Sequence, residues 1–396
     1  MVKQSFDIPH LPPYVFEEVN MLKAKERAEG RDVIDFGMGN PDLPTPLHIV
    51  QKLVETVRDP KSHRYSASRG IAGLRKAQAR YYERRFGVKL DADKEIVATI
   101  GSKEGFANMA QAIGSKVDSV LVPNPTYPIH AFGFIFSGAK IHHMPVPVIG
   151  SPGEEFMSVL DKTYQKARPK PKVLVLNYPS NPTAQTASLD FYKEIIGYAK
   201  KKELIVLSDL AYAEIYFDDM PPPSILQVRG AKKIAAEFTS LSKSFSMPGW
   251  RVGFAVGNKD LVGALQRIKS YLDYGNFTPI QVAAIAALDS PPNVAQEIRN
   301  IYKKRRDVLV ESFSRSGWDI SPPPATMFAW AKLPKKYEKG GSLSFSKKLL
   351  KEAQIAVSPG IGFGKYGDKY VRIALVENEH RIRQAARNLK LFLGGK

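Results

Sequence analysis

Lys243 is the residue of this chain whose surroundings most suggest covalent chemistry. It lies in Ser240-Leu241-Ser242-Lys243-Ser244, after a predicted apolar strand from Ile234 to Thr239, although lysine is normally a surface residue. A buried lysine amine with a lowered pKa forms Schiff bases with aldehydes. Arg251, eight residues later, starts another apolar strand, and an arginine together with the hydroxyls of Ser240 and Ser242 suits a phosphate. The pattern therefore predicts a ligand with an aldehyde and a phosphate, although a lysine among 58 basic residues can also be a plain surface charge.

Asp209 ends another apolar stretch, and Tyr212 follows three positions later. Taken alone, Asp209 could be a helix N-cap. A pyridine ring that serves as an electron sink needs a carboxylate to keep its nitrogen protonated, and it gains from a hydroxyl beside its phenolic oxygen. We therefore expect Asp209 and Tyr212 to face Lys243 and to contact such a ring.

Gly101-Ser102-Lys103-Glu104-Gly105 opens a predicted helix directly after a strand. The free backbone N–H groups at a helix N-terminus form an anion site, so the amides of Ser102 and Lys103 are expected phosphate ligands. The glycines could equally mark an ordinary strand–helix turn, and the Lys103 side chain could be solvated.

Three further side chains have both a structural and a functional interpretation. Tyr127, held between prolines, could pack in its loop or stack on a cofactor ring. Asn181 could serve turn chemistry or donate a hydrogen bond to the ring oxygen. Arg372 lies within an apolar strand, where a charge is costly unless it is paired. Its partner would be a substrate α-carboxylate or, alternatively, a structural salt bridge.

Several apolar runs without alternation, such as Val173 to Leu176, end in polar residues and precede helical patterns. Such runs are typical of parallel strands covered on both faces, and ligands bind at the carboxyl ends of these strands. This predicts an α/β fold with a mostly parallel sheet over residues 46–284. Residues 285–396, with a long charged helix from Asn293 to Ser316, together with residues 1–45 are predicted to form a second, smaller α/β domain.

The composition excludes several classes of protein. The chain has 396 residues and no cysteine, so disulfides and thiolate sites are excluded. Its net charge of +19 is spread along the whole chain, without the basic arm or interleaved aromatics of a nucleic-acid binder. The seven histidines are scattered, so we expect no metal site. No bilayer-spanning or signal-peptide pattern is visible, which leads us to expect a cytoplasmic location and no membrane partner.

These motifs together resemble the class I aminotransferases among the fold type I pyridoxal-phosphate enzymes. The resemblance runs from about His10 to Leu393, and the motifs stand in family order. They are Gly37 to Asp42, Tyr65, Ser68 to Ile71, Gly101 to Gly105, Tyr127, Asn181 to Thr183, Asp209, Tyr212, Ser240 to Lys243, Arg251 and Arg372.

The resemblance implies a seven-stranded, mostly parallel sheet and pyridoxal 5'-phosphate bound as a Schiff base on Lys243. It also implies a homodimer with shared active sites, in which Tyr65 would reach the partner's cofactor phosphate. Tyr14 and the backbone of Gly39 would then touch substrate, as would Asn181 and Arg372. The reaction would be a ping-pong exchange between an L-amino acid and a 2-oxo acid.

The N-terminal stretch Leu11 to Phe16 and the stretch Ser358 to Gly364 look most like bacterial glutamate–pyruvate (alanine) aminotransferases. Aspartate and LL-diaminopimelate aminotransferases are the alternatives. The arginine with which the best-known aspartate enzymes hold the distal carboxylate has no counterpart here; Leu272 stands near that place, and Asp273 would repel a carboxylate. The sequence leaves open how glutamate would be held, with Arg69 as one candidate.

Two rival functions on the same scaffold are weaker. A carbon–sulfur lyase or a decarboxylase would need the same cofactor residues, so the subgroup motifs count against it more than the site does. A transcription regulator of this fold would have an added helix-turn-helix domain, whereas here the enzyme pattern begins by residue 10.

Overall fold

A computed structural model describes residues 15–114 and 116–395. The helices are α1 (Val15–Ala28), α2 (Leu47–Val57), α3 (Ala72–Phe86), α4 (Ser102–Gly114), α5 (Ile129–Phe136), α6 (Glu154–Lys166), α7 (Leu189–Lys201), α8 (Leu241–Ser244), α9 (Lys259–Leu272), α10 (Thr278–Leu288), α11 (Pro292–Arg315), α12 (Gly341–Ala353) and α13 (Glu379–Leu393). Short 3₁₀ turns at 60–63, 225–227, 231–233, 335–340, 360–363 and 365–367 complete the helical segments.

The strands are β1 (Ile34–Asp35), β2 (Ile96–Thr99), β3 (Ser119–Asn124), β4 (Lys140–Pro145), β5 (Val173–Asn177), β6 (Ile205–Asp209), β7 (Ala235–Ser240), β8 (Gly253–Gly257), β9 (Phe328–Lys332), β10 (Ile355–Ala356), β11 (Ser358–Pro359) and β12 (Tyr370–Ala374). Seven of them form one sheet in the order β2-β8-β7-β6-β5-β3-β4. Six of the seven strands run in one direction, and β8 runs in the opposite direction. The predicted α/β fold with a mostly parallel seven-stranded sheet is confirmed.

Both faces of the large sheet are buried, which explains the unbroken apolar runs. In β5, Leu174 and Leu176 pack into one hydrophobic cluster, whereas Val173 and Val175 pack into the cluster on the opposite face. Successive side chains of a strand point to opposite faces, so a strand covered by helices on both sides can be apolar at successive positions.

The remaining strands form two small sheets, the parallel pair β1-β10 and the antiparallel β11-β12-β9. A separate hydrophobic cluster joins them to α11 and α13 and includes Phe36, Leu309 and Leu389. The predicted domain boundary at residue 284 lies inside α10, where Ala287 and Leu288 still pack in the core of the large sheet. We therefore propose that the boundary falls a few residues later, before α11.

The parallel strands bring polar residues to one edge of the large sheet. Asn124, Asn177, Asp209 and Ser240 are the last residues of β3, β5, β6 and β7. Because parallel strands end on the same side, these four residues, which are distant in the chain, meet at one edge of the sheet. No helix in the described part of the chain is long and apolar enough to cross a membrane.

Candidate active site

A cleft of about 540 Å³ lies at this edge of the sheet, between the large sheet and the sheet that contains β12. It brings together nearly all residues that the sequence singles out. Lining it are Gly39, Ser102, Lys103, Tyr127, Asn181, Asp209, Tyr212, Ser240, Ser242, Lys243, Arg251 and Arg372. Their placement is an observation, whereas their individual roles remain predictions.

Lys243 lies in the one-turn helix α8, directly after β7. Its Nζ donates a hydrogen bond of 2.9 Å to the backbone oxygen of Gly39. Burial, and secondly the positive charges of Arg372 and Arg251, lower the pKa of the Lys243 amine to about 7 from 10.5. A lysine with such a pKa exists in good part as the free amine near neutrality, which is the form that attacks an aldehyde or accepts a proton.

Asp209 is held by a buried histidine that sequence reasoning missed. The Nε2 atom of His130 lies 2.9 Å from Asp209 Oδ2, and its Nδ1 atom lies 2.7 Å from the Thr126 hydroxyl. A carboxylate only accepts hydrogen bonds, so Nε2 donates to Asp209. His130 is completely buried, and Asp209 Oδ1 accepts the backbone N–H of Ala211. The carboxylate is thus fixed in orientation, and it forms an Asx-type turn rather than the helix N-cap considered for it.

The expected phosphate site is a tight cradle of backbone. Gly101 has a φ of +83°, and a Cβ there would overlap the guanidinium of Arg251. Gly253 is equally constrained, since a Cβ would lie 2.5 Å from the backbone nitrogen of Ser102, at the start of α4. Arg251 itself has a left-handed φ of 56°, uncommon for a residue with a side chain, and its backbone oxygen accepts a 2.6 Å hydrogen bond from Asn276. An arginine, a helix N-terminus and the Ser240 and Ser242 hydroxyls line one part of the cleft.

Behind this cradle lies Lys269, whose side chain is completely buried. Its Nζ is 3.1 Å from Glu104 Oε1 and 2.8 Å from Asp273 Oδ2. Glu104 Oε2 accepts the N–H of Ile100, at the entry to the cradle. Asp273 was expected to repel a substrate carboxylate; its carboxylate pairs with Lys269, and Asp273 does not line the cleft.

We expect Lys269→Met to destabilise the protein strongly, because it leaves two carboxylates without their buried cation. Breaking a buried ion pair by removing one partner costs about 3–5 kcal/mol of unfolding free energy. Urea unfolding measures this loss of unfolding free energy. The control is Lys303→Met, which removes the partly exposed Lys303–Asp307 pair of 2.9 Å and should cost at most about 1 kcal/mol. Equal losses for the two variants would contradict this account of Lys269.

Arg372, in β12, reaches into the cleft from the opposite side. Its Nη1 donates a 2.8 Å hydrogen bond to Asn181 Oδ1, and its guanidinium carbon lies 4.1 Å from the ring centre of Phe328 and 4.8 Å from that of Phe363. The two rings hold the guanidinium plane in place. Gly39 is adjacent, since a Cβ there would approach Phe328 and would lie 3.2 Å from Arg372 Nη2.

Tyr212 and Tyr127 complete the walls of the cleft. Tyr212 is buried and packs its ring edge-on against Phe328. Burial raises the pKa of its hydroxyl, and the charge of Arg372 only partly opposes this effect. Tyr212 is therefore a neutral hydrogen-bond donor at physiological pH. Tyr127 packs its ring against that of His130, at 5.9 Å between ring centres.

Two described candidate residues, Tyr65 and Arg69, do not line the cleft. Tyr65 is 87% exposed, and its ring packs against that of Tyr274. Arg69 bonds to Asp93 at the surface, away from the cleft lining, so within a single chain it is not placed to hold a distal carboxylate. Tyr14 lies outside the described residues. In residues 15–114 and 116–395 no group of three His, Cys, Asp or Glu is arranged to hold a metal ion.

The chain matches the family described as aminotransferase class I and II over residues 31–389. It therefore belongs to the class I and II aminotransferases, a family that uses pyridoxal 5'-phosphate, and the predicted family is confirmed.

Its relatives cover nearly the whole chain. It is 64% identical to the protein AatC of Rhizobium meliloti (strain 1021), over 98% of this chain and 94% of that one. It is 51% identical to the glutamate-pyruvate aminotransferase AlaC of Escherichia coli (strain K12), over 97% and 92%. The LL-diaminopimelate aminotransferase of Moorella thermoacetica is 40% identical, over 98% and 97%. Among solved structures, substrate-bound BacF from Bacillus subtilis aligns with a TM-score of 0.87 and 33% identity, over 97% and 96% of the chains.

Proposed function

We propose that this aminotransferase exchanges the amino group between alanine and 2-oxoglutarate, to give pyruvate and glutamate, with pyridoxal 5'-phosphate held on Lys243. The observation that carries the proposal is the convergence of Lys243, Asp209, Arg251 and Arg372 on one cleft. The alanine preference is supported by the 51% identity to a glutamate-pyruvate enzyme and by the stretch Ser270 to Pro279, which contains no arginine.

The residues of the cleft fit this cofactor. The cradle of Ser102 and Lys103 amides, Ser240, Ser242 and Arg251 suits a phosphate, because all of these groups donate hydrogen bonds and Arg251 is cationic. Asp209, oriented by His130, would pair with the ring nitrogen. Tyr212 and Asn181 would donate to the ring oxygen, and Tyr127 would stack on the ring. When bound, the cofactor supplies an electron sink for negative charge at the substrate Cα.

Lys243 would act as the acid–base group at the substrate Cα. In this role its free amine would move a proton between the substrate Cα and the C4′ carbon of the cofactor. A pKa of about 7 suits both directions, because a general base works best when its pKa lies near the operating pH. The hydrogen bond from the Lys243 amine to Gly39 supports this role, because Gly39 is a proposed substrate contact. Because one substrate must leave before the next binds, the kinetics would be ping-pong.

Arg372 would grip the substrate α-carboxylate through two parallel hydrogen bonds. Its rigid packing between Phe328 and Phe363 pre-orients the guanidinium, so little freedom is lost on binding. Asn181 and the backbone of Gly39 lie beside it and would contact the same carboxylate or the substrate amine. Tyr14, which lies outside the described residues, is also proposed to touch substrate.

The proposal includes a homodimer with shared active sites. Large aromatic side chains are exposed in one region, with Tyr65 at 87%, Tyr271 at 83% and Tyr274 at 65%, and the rings of Tyr65 and Tyr274 are 4.8 Å apart. Exposed apolar patches of this kind suit a subunit interface. In a dimer Tyr65 would reach the partner's phosphate site.

A panel of amino donors tests the substrate. Purified protein is assayed with 2-oxoglutarate or pyruvate and with alanine, glutamate, aspartate or LL-diaminopimelate. We expect the alanine–2-oxoglutarate pair to have the highest kcat/KM, with aspartate at least about tenfold lower, since the cleft offers no dedicated distal arginine. A preference for LL-diaminopimelate, whose transaminases include a relative 40% identical to this chain, would favour that alternative. Ammonia release without an oxo acid would indicate a lyase.

A further inference from the structure

Arg305, in the middle of α11, forms a partly buried bidentate ion pair with Asp42, whose side chain is 34% exposed. Its Nη1 and Nη2 atoms each lie 2.7 Å from one oxygen of the Asp42 carboxylate. Nη1 also donates a 3.0 Å hydrogen bond to the backbone oxygen of Leu375. The side chain of Arg305 is only 7% exposed. One guanidinium therefore joins two segments that are far apart in the chain.

Both of these segments form the substrate side of the cleft. Asp42 lies three residues after Gly39, whose backbone oxygen accepts the hydrogen bond of Lys243. Leu375 directly follows β12 and lies three residues after Arg372. Neither Arg305 nor Asp42 lines the cleft, so any effect of this pair on substrate must act through the segments that it holds.

The gap between those segments is where a substrate carboxylate would fit. A Cβ on Gly39 would be 3.2 Å from Arg372 Nη2, so the two segments approach each other closely and only glycine leaves this space open. A bidentate arginine fork restrains distance and angle together, which a flexible lysine does not. A displacement of about 1 Å in a positioning group can cost about 100-fold in rate.

We propose that Arg305 is a positioning residue for substrate: by holding Asp42 and the Leu375 carbonyl, it sets the separation of Gly39 and Arg372 at the carboxylate site. The inference rests on the proposed function. In this proposal Arg305 contacts neither cofactor nor substrate. Binding of the substrate carboxylate and binding of the cofactor phosphate then depend on different residues, because the phosphate cradle is held by others, Glu104 and Lys269 among them.

The next residue in the chain provides a matched control. Arg306 is 5% exposed, and its guanidinium is bidentate to Asp218, with distances of 2.6 and 3.1 Å. It also bonds to Asp307. Arg306 and Asp218 do not line the cleft, and the two arginines share one helix, similar burial and similar partners. The two arginines differ in location: the partners of Arg305 belong to the segments that contain Gly39 and Arg372, whereas Asp218 does not.

The experiment compares Arg305→Lys with Arg306→Lys in the cofactor-loaded enzyme. The readouts are KM for alanine and 2-oxoglutarate, kcat, cofactor affinity, and the inhibition constant of propionate, which keeps the carboxylate of alanine but lacks the amino group. For Arg305→Lys we expect both KM values and the propionate constant to rise by about 10- to 100-fold, with a much smaller change in kcat and unchanged cofactor affinity. For Arg306→Lys we expect a loss of thermal stability similar to that of Arg305→Lys, and no change in KM or in propionate binding.

Equal KM and propionate values for the two variants would overturn the positioning role while leaving the proposed function intact. A wild type that transaminates none of the substrates would overturn both. If Arg305→Lys does not fold, the double variant Asp42→Asn/Arg305→Met removes both charges and leaves no unpaired buried ion, so it should fold. Raised propionate constants in that variant support the inference, and wild-type values refute it.

Discussion

Replacing Lys243 with alanine is expected to abolish transamination and to remove the visible absorption band of the lysine-linked cofactor. The substitution deletes both the amine that carries the cofactor and the group that moves the proton at Cα. The loss in kcat should be at least about 10²-fold, the lower end of what one positioned acid–base group contributes. Single-turnover assays with alanine and absorption spectra of the purified variant provide the measurements.

A surface lysine with the same hydrogen-bonding pattern is the control for that variant. Lys140 also donates a 2.9 Å hydrogen bond to a backbone oxygen, that of Arg168, but it lies at the exposed edge of the large sheet. Lys140→Ala should keep both the absorption band and the activity. Normal turnover by the Lys243 variant would refute the assignment of Lys243.

Replacing Arg372 with methionine is expected to lower kcat/KM for alanine by about 10²- to 10⁴-fold, mainly through KM. Methionine keeps the apolar contact with Phe328 and Phe363 but removes two charge-assisted hydrogen bonds to the carboxylate. Each such bond contributes about 1.5–3 kcal/mol, and 1.4 kcal/mol corresponds to a factor of ten. Steady-state kinetics with varied alanine and varied 2-oxoglutarate measure the effect on both half-reactions.

Two companion variants separate substrate binding from a structural role for Arg372. Arg372→Lys keeps the charge but not the planar fork, so we expect an intermediate kcat/KM. Arg381→Met removes a surface guanidinium that is bidentate to Asp32, at 2.6 and 2.8 Å, and should leave kinetics unchanged. If Arg372→Met only lowered the unfolding free energy, with KM unchanged, the structural alternative would hold instead.

Much of the cleft could be predicted from the sequence because its residues follow strands. Asp209 and Ser240 end buried parallel strands, and Lys243 comes one turn after Ser240. The carboxyl ends of such strands meet at one edge, so strand order and local pattern were enough to place these side chains together. The family motifs then connected them to a known chemistry.

The residues that hold this site in place could not be predicted in the same way. His130 lies 79 positions from Asp209, and it occurs in an otherwise apolar helix, where a histidine has no local signature of a partner. The burial of Lys269, which pairs with Asp273 one helical turn later, is likewise not visible in the pattern of the amphipathic helix α9. Burial of that pair depends on how α9 packs against α4.

The sequence by itself determined the fold class, the family and the side chains that can carry the chemistry, because these depend on hydrophobic pattern and on residue type after each strand. Only the tertiary structure decided how those side chains are held: Asp209 by His130, the phosphate cradle by Lys269, and the carboxylate site by Arg305, which lies 263 positions from Asp42. Contacts between such distant segments arise from the packing of whole helices and sheets, and no local pattern encodes them.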